Sequence, residues 1–287
     1  MVDLHTHTTA SDGTDSPAEL VARARQAGIQ ALAITDHDTF LGYDQARDAA
    51  ADSGIRLICA LELSTRLLNE TDPRSRSAHI LGYFPCGASE EFRSWLETLR
   101  ERRRSRNALI AEKLRERGMD VTLEEAESIG RNITGRPHFA RILLDKGYVS
   151  TLPEAFRLYL GDGRACYVER EDPSAEEGIS RIRSAGGIPS LAHAVRLSKK
   201  DPAAEEAVIG GLACAGLTAI EVYHSDHDEN SRMRYLGMAA KFGLRVTGGS
   251  DYHGDNKPEI ALGRGKDGNL NLPLSLLQNL ENGAPGG

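Results

Sequence analysis

Short apolar runs alternate with helix-forming stretches in both halves of the chain, and glycines punctuate the alternation. Val2 to His5, Ala31 to Ile34 and Leu57 to Leu63 read as strands, with helices from Pro17 to about Ala27 and from Tyr43 to Ser53 between them. Ser16-Pro17-Ala18-Glu19 is a capping box with proline in the first turn, while Gly28 and Gly54 end the two helices. The pattern resumes with a helix that opens at Ser174-Ala175-Glu176-Glu177 and stops at Gly186-Gly187. Strands at Ile188 to Ala192, Ala219 to Val222 and Arg245 to Thr247 follow, separated by helices Pro202 to Ala215 and Glu229 to Phe242. Such alternation predicts a parallel sheet covered by helices, and this many units favours closure over an open sheet. The expected fold class is α/β, a (β/α) barrel with irregularities.

Between Ala88 and Gly163 the alternation stops. A long charged helix carries the run Arg100-Glu101-Arg102-Arg103-Arg104-Ser105-Arg106, and capped helical stretches start at Thr122, Arg136 and Thr151. The barrel is therefore expected over 1–87 and 164–287, with 88–163 as a helical insertion over its mouth. The arginine run reads as a solvated helix face, with a phosphate-attracting rim as the alternative.

Charge and composition narrow the partners. The formal net charge is −7 and aromatic residues make up 5%, so neither a general positive field nor a stacking platform exists for long nucleic acid. Apolar runs stop well short of the 18 or so residues that span a bilayer, so no membrane partner is expected. Cys59, Cys86, Cys166 and Cys214 form no C-x-x-C pair, and no secretory signal is visible; reduced thiols in a cytoplasmic protein are the expectation.

The nine histidines are not scattered. His5 and His7 follow the first strand, His37 the second, His193 a later one and His253 the last. Carboxylates occupy matching places: Asp12 in the first loop, Glu62 near the end of the third strand and Asp251 two residues before His253. Strand ends of a parallel barrel open on one face, where residues distant in sequence meet. His5-Thr6-His7 is the most telling pair, because residues i and i+2 of an extended segment point to one side. A single H-x-H is weak evidence; its recurrence with D-H-D, E, H and D-x-H at successive strand ends carries the argument. Glu62, inside Cys59-Ala60-Leu61-Glu62-Leu63, would be costly to bury unless paired or coordinated. His79 sits near the start of its strand and fits the rule only if that strand runs opposite to its neighbour. His138, His224 and His227 leave substrate contact and plain surface roles equally open.

Imidazoles and carboxylates without thiolate suit divalent manganese, zinc or iron, and the donors exceed the needs of one ion. Three such ions among Asp12, Glu62 and Asp251 would leave a net positive charge. Their charge would attract a phosphate dianion, and a bridging hydroxide could attack phosphorus with no side-chain nucleophile. Gly248-Gly249-Ser250-Asp251-Tyr252 lacks the closing glycine of G-x-S-x-G, Gly161-Asp162-Gly163 is a bare G-x-G, and no P-loop is present.

With DLHTHTTASDG at Asp3 to Gly13, ITDHDT at Ile34 to Thr39, Glu62, His79 in HILGY, His193 in LAH and GSDYH at Gly249 to His253, the chain resembles the polymerase and histidinol phosphatase (PHP) family of metallophosphoesterases. The resemblance implies a distorted seven-stranded (β/α) barrel with a trinuclear site. It implies one metal on His5, His7, Glu62 and Asp251, a second on Glu62, His79 and His193, and a third on Asp12, His37 and His253. Asp12 stands where several relatives carry histidine. Asp12, Glu62, His193 and Asp251 take the catalytic assignment. The SDG and TDHDT segments with GRPHFAR in the insertion resemble the 3′,5′-nucleotide bisphosphate phosphatase branch, which gives AMP from adenosine 3′,5′-bisphosphate. Arg136 and His138 match the branch's insertion motif and are expected to grip the second phosphate; His224 is a further candidate for that task. A 5′→3′ exoribonuclease of short RNA, a histidinol-phosphate-type phosphatase and a non-catalytic metal-binding accessory module are the alternatives.

Overall fold

A computed structural model describes residues 1–67, 76–130, 133–169, 171–197 and 201–282. The chain divides into two compact units, residues 1–94 with 173–287, and residues 95–172.

The first unit is built on seven strands, β1 (Val2–Asp3), β2 (Ala31–Ile34), β3 (Arg56–Leu67), β4 (Arg76–Tyr83), β5 (Ile188–Leu191), β6 (Ala219–His224) and β7 (Arg245–Gly249). They form one sheet in sequence order, and every pairing is parallel except the two made by β4. Leu4 N donates to Gly248 O (3.3 Å) and Asp251 N to His5 O (2.8 Å), so the last strand returns to the first and the sheet closes. A Cβ on Gly249 would overlap the Cβ and backbone nitrogen of His5, which is why the closing strand carries glycine there. The expected (β/α)7 barrel is present, and the expectation of a wholly parallel sheet is corrected at β4. A short link from β3 suits a hairpin return, and only crossover connections of a dozen or more residues permit parallel neighbours.

Helices α1 (Pro17–Gln26) and α2 (Leu41–Ser53) pack with β2 and β3. Ser16 Oγ accepts the Glu19 N–H while Glu19 returns a bond to Ser16 N (2.8 Å), as the capping box requires. Inside the barrel, Val2, Leu4, Ala31, Ala33, Ile58, Ala60, Leu81 and Tyr83 form one buried cluster with residues of the C-terminal segment from Leu270 to Leu280. Glu62 shares the strand face of Ile58 and Ala60, and His79 that of Leu81 and Tyr83, so the pleat that builds the core also aims both at the barrel axis.

The second unit has its own core, with Ile110, Leu114, Val121, Phe139, Leu143 and Leu160 fully buried. Its helices include Leu123–Gly130, capped by Thr122, and Arg136–Asp145. The arginine run is engaged within this unit: Arg100 with Glu97 (2.7 Å), Arg104 with Glu127 (2.8 Å) and Arg106 with the Val168 carbonyl (3.0 Å). No helix among the described residues is long and apolar enough to cross a membrane.

Candidate metal centre

Because β4 runs backwards, the start of this strand lies at the same end of the barrel as the finish of the others. His79 therefore joins His5, His7, His37, Glu62, His193, Asp251 and His253 there, as the reversed-strand condition demanded. Eight of the nine histidines form one continuous set of neighbouring rings, with centroids 4.1 to 6.0 Å apart; His138 alone is outside it. Asp38 (φ 55°), His193 (φ 29°) and Asp251 (φ 58°) adopt left-handed backbone, a conformation that non-glycine residues take at a cost of about 1–3 kcal/mol each. Three such residues in one mouth mark a site held in shape by its surroundings.

Glu62 is the hub. Its Oε2 lies 3.1 Å from His7 Nε2, 3.2 Å from His5 Nε2 and 3.5 Å from His37 Nε2. Its Oε1 meets His79 Nδ1 and His193 Nε2, each at 2.8 Å. Asp251 Oδ1 is 3.4 Å from His7 Nε2 and 3.5 Å from His5 Nε2. Asp12 reaches His7 Nδ1 (3.3 Å), His253 Nε2 (3.2 Å) and, less closely, His37 Nε2 (3.9 Å). Donor atoms of His5, His7, Glu62 and Asp251 thus converge within 4.8 Å of one another, as do those of His7, Asp12 and His253, and of His37, Glu62 and His79.

This donor set fits divalent cations. His7 Nε2 is buried and has no hydrogen-bond partner although Glu62 Oε2 is 3.1 Å away, so nitrogen and oxygen face a common point rather than each other's protons. Burial disfavours the protonated His5, but Glu221, Glu62 and Asp251 outweigh it and hold His5 well above the usual imidazole range. His7 is likewise pushed up to about 9 against its burial, chiefly by Asp12. Burial opposes ionisation of Glu62 and Asp251 too, yet the surrounding histidines hold both well below the carboxylate range. His37 and His193, by contrast, are lowered by burial to about 4 and about 3, so their lone pairs are free at neutral pH. Protons on His5 and His7 neutralise the carboxylates where a cation would otherwise do so.

Several residues outside the expected ligand set support it. Asp3 is fully buried and accepts from His5 N (3.3 Å), Ser250 N (2.8 Å), Ser250 Oγ (2.6 Å) and Gly263 N (2.8 Å), tying the H-x-H segment to the Asp251 loop. Asp36 accepts from Thr8 N (2.8 Å), Thr8 Oγ1 (2.7 Å) and Ser11 Oγ (2.6 Å), bracing the loop that presents Asp12. At the mouth, Arg196 Nη2 (2.9 Å) and Lys257 Nζ (2.7 Å) both contact Asp251 Oδ2, and both side chains are partly exposed. Glu221 sits behind His5. A charged residue inside the apolar segment Ala219-Ile220-Glu221-Val222 was the available signal for it, the same signal that picked out Glu62.

The expected substrate residues fall in two places. His224 is fully buried beside the centre, its Nδ1 accepting Asp226 N–H (2.9 Å) and its Nε2 facing Asp251 Oδ2 (3.4 Å). Arg136 and His138 belong to the second unit. There Arg136 pairs with Asp162 (2.6 Å), and His138 Nδ1 accepts the Gly135 N–H (3.0 Å) at the start of its helix.

The PHP domain family matches residues 3–148. A 5′-3′ exoribonuclease of Haemophilus influenzae is 33% identical, covering 88% of this chain and 89% of its own length. A 3′,5′-nucleoside bisphosphate phosphatase of Chromobacterium violaceum is 30% identical over 93% of this chain and 92% of its own. The solved structure of an amidohydrolase from Chromobacterium violaceum with bound sulfate superposes with a TM-score of 0.74 at 29% identity, covering 98% of this chain and 96% of that one. On the family match, the shared length of these relatives and the barrel with its histidine-rich mouth, the chain belongs to the PHP domain family.

Proposed function

We propose that the chain is a manganese-dependent phosphoesterase that removes the 3′-phosphate of adenosine 3′,5′-bisphosphate and related nucleotides, giving AMP and phosphate. The observation that carries the chemistry is the convergence of buried imidazoles on both oxygens of Glu62. When bound, divalent cations supply positive charge to phosphate oxygens and make a water acidic enough to attack phosphorus. Glu62, Asp12 and Asp251 hold the donor array together, and His193 brings its neutral Nε2 to it. Arg196 and Lys257 meet the incoming anion at the mouth and pair with its oxygens as charge-assisted donors. Water adds to phosphorus as the O3′–P bond breaks, and the departing O3′ takes up a proton.

The relatives add a second reading, a 5′-3′ exoribonuclease acting on short RNA, favoured by the 33% identical relative. The two substrates share a 5′-phosphorylated nucleotide whose O3′–P bond is cut, so one site accommodates either. Manganese-reconstituted protein is expected to turn over adenosine 3′,5′-bisphosphate with kcat/KM of about 10⁴ M⁻¹s⁻¹ or more. A 5′-phosphorylated triribonucleotide assayed beside it decides between the readings: faster release of nucleotide from the RNA reverses their order. Turnover of neither, with histidinol phosphate hydrolysed instead, overturns both.

Arg196→Ala is expected to raise KM about tenfold or more while kcat changes less, because a charged hydrogen bond is worth about 1.5–3 kcal/mol. Steady-state kinetics check it; a fall in kcat at unchanged KM would remove Arg196 from substrate binding.

A further inference from the structure

We propose that Glu221, on β6, is the positioning residue of the metal centre, orienting one imidazole from each of two ligand groups; the inference rests on the reading of His5 and His193 as metal ligands. Glu221 is fully buried. Its Oε1 lies 2.9 Å from His5 Nδ1, and its Oε2 accepts the backbone N–H of His193 at 2.8 Å. A buried carboxylate is expensive, and a leucine or valine would fill this strand position at lower cost. The two bonds explain what the charge achieves. The first fixes His5 with its proton on Nδ1, which leaves the Nε2 lone pair directed at Glu62 Oε2 (3.2 Å) and Asp251 Oδ1 (3.5 Å). The second holds the His193 backbone at φ 29°, where few side chains rest unaided, and so aims His193 Nε2 at Glu62 Oε1 (2.8 Å).

Both partners of Glu221 are donors, and both of its oxygens are needed as acceptors. Glutamine has the same shape but a single acceptor. Whichever way its amide turns, one donor loses its acceptor, or the NH₂ group meets His5 Nδ1 and moves the imidazole proton to Nε2. Direct metal binding by Glu221 is disfavoured by the same geometry. Its donor atoms do lie within 4.8 Å of those of His5 and His224, but its Oε1 is already taken by His5 Nδ1 and its Oε2 by the His193 N–H.

The test uses full-length protein and Zn²⁺ as a diamagnetic probe. Glu221→Gln is expected to weaken Zn²⁺ binding about 10- to 100-fold in chelator competition. A merely structural glutamate would instead lower the melting temperature of metal-free protein and leave Zn²⁺ affinity within about threefold, which overturns the proposal. Nitrogen-15 NMR of the Zn²⁺-loaded wild type gives a readout that survives a folding failure of the variant. A proton on His5 Nδ1 supports the assignment, and a bare Nδ1 overturns it. Should wild-type protein take up no Zn²⁺ at all, the metal reading fails first and this inference with it; should it bind normally and the variant equally well, only the role of Glu221 falls.

Discussion

Glu62→Gln is expected to reduce kcat/KM for phosphoester hydrolysis by about 10³-fold or more while the barrel stays folded. The single carboxylate faces five imidazoles, three through Oε2 and two through Oε1, so its loss reaches more than one ligand group. Glutamine occupies the same volume, but its NH₂ group would turn toward one of the two sets of ring nitrogens and displace a cation from it. Removing the charge also takes away one of the three carboxylates, with Asp12 and Asp251, that would hold positive ions in this buried pocket. Metal analysis after gel filtration is expected to show reduced occupancy alongside the rate loss, with circular dichroism unchanged. Activity within tenfold of wild type at full metal content would remove Glu62 from the centre of the site.

The second large effect is metal removal. Dialysis against a chelator is expected to abolish turnover, with recovery on adding Mn²⁺, and to change how stability depends on pH. In metal-free protein His7 is raised to about 9 and His5 is raised as well. A raised imidazole contributes stability that is fully present below the ordinary value near 6.5 and is lost as pH climbs through the folded value. Glu62, Asp12 and Asp251 are lowered, so their contribution is present above about pH 4 and is lost in acid. His37 and His193, lowered to about 4 and about 3, work the other way below pH 6.5, where the unfolded chain binds protons that the folded one refuses, so metal-free protein should melt highest near pH 6.5. Cations need neutral imidazoles, so loading releases protons and moves the optimum toward higher pH. At a hundredfold excess over Kd one ion adds about 2.7 kcal/mol, enough for several degrees in Tm. Differential scanning fluorimetry from pH 5 to 9, with and without Mn²⁺, reads both curves. A metal-free Tm that rises between pH 6.5 and 9 would contradict the assignment of protons to His5 and His7.

Much of the barrel was legible because its signals are local. The capping box at Ser16, the N-cap serine at Ser174, glycine stops and short apolar runs each depend on near neighbours in sequence, and the observed helices start where those caps lie. The H-x-H pair was legible for the same reason. Glu62 was found by the cost of a charge in an apolar strand, and the same test applied to Ala219-Ile220-Glu221-Val222 would have found Glu221. Arg196 and Lys257 carry no such mark. Arg196 ends a short helical turn after β5 and Lys257 lies in the loop after β7, and only the arrival of Asp251 between them distinguishes them.

By itself, the sequence determined the alternation of strands and helices and the kinds of donor placed at strand ends, since propensity, capping and pleat parity act over a few residues. The folded chain decided the rest. It reversed β4 so that His79 faces the same mouth as its partners, turned five histidines onto one glutamate, and set Glu221 behind two of them. The physical reason is that a lone pair's direction, and the charges that set its protonation, depend on groups as many as 246 positions apart, as for His5 and Asp251, which only closure of the barrel brings within 3.5 Å.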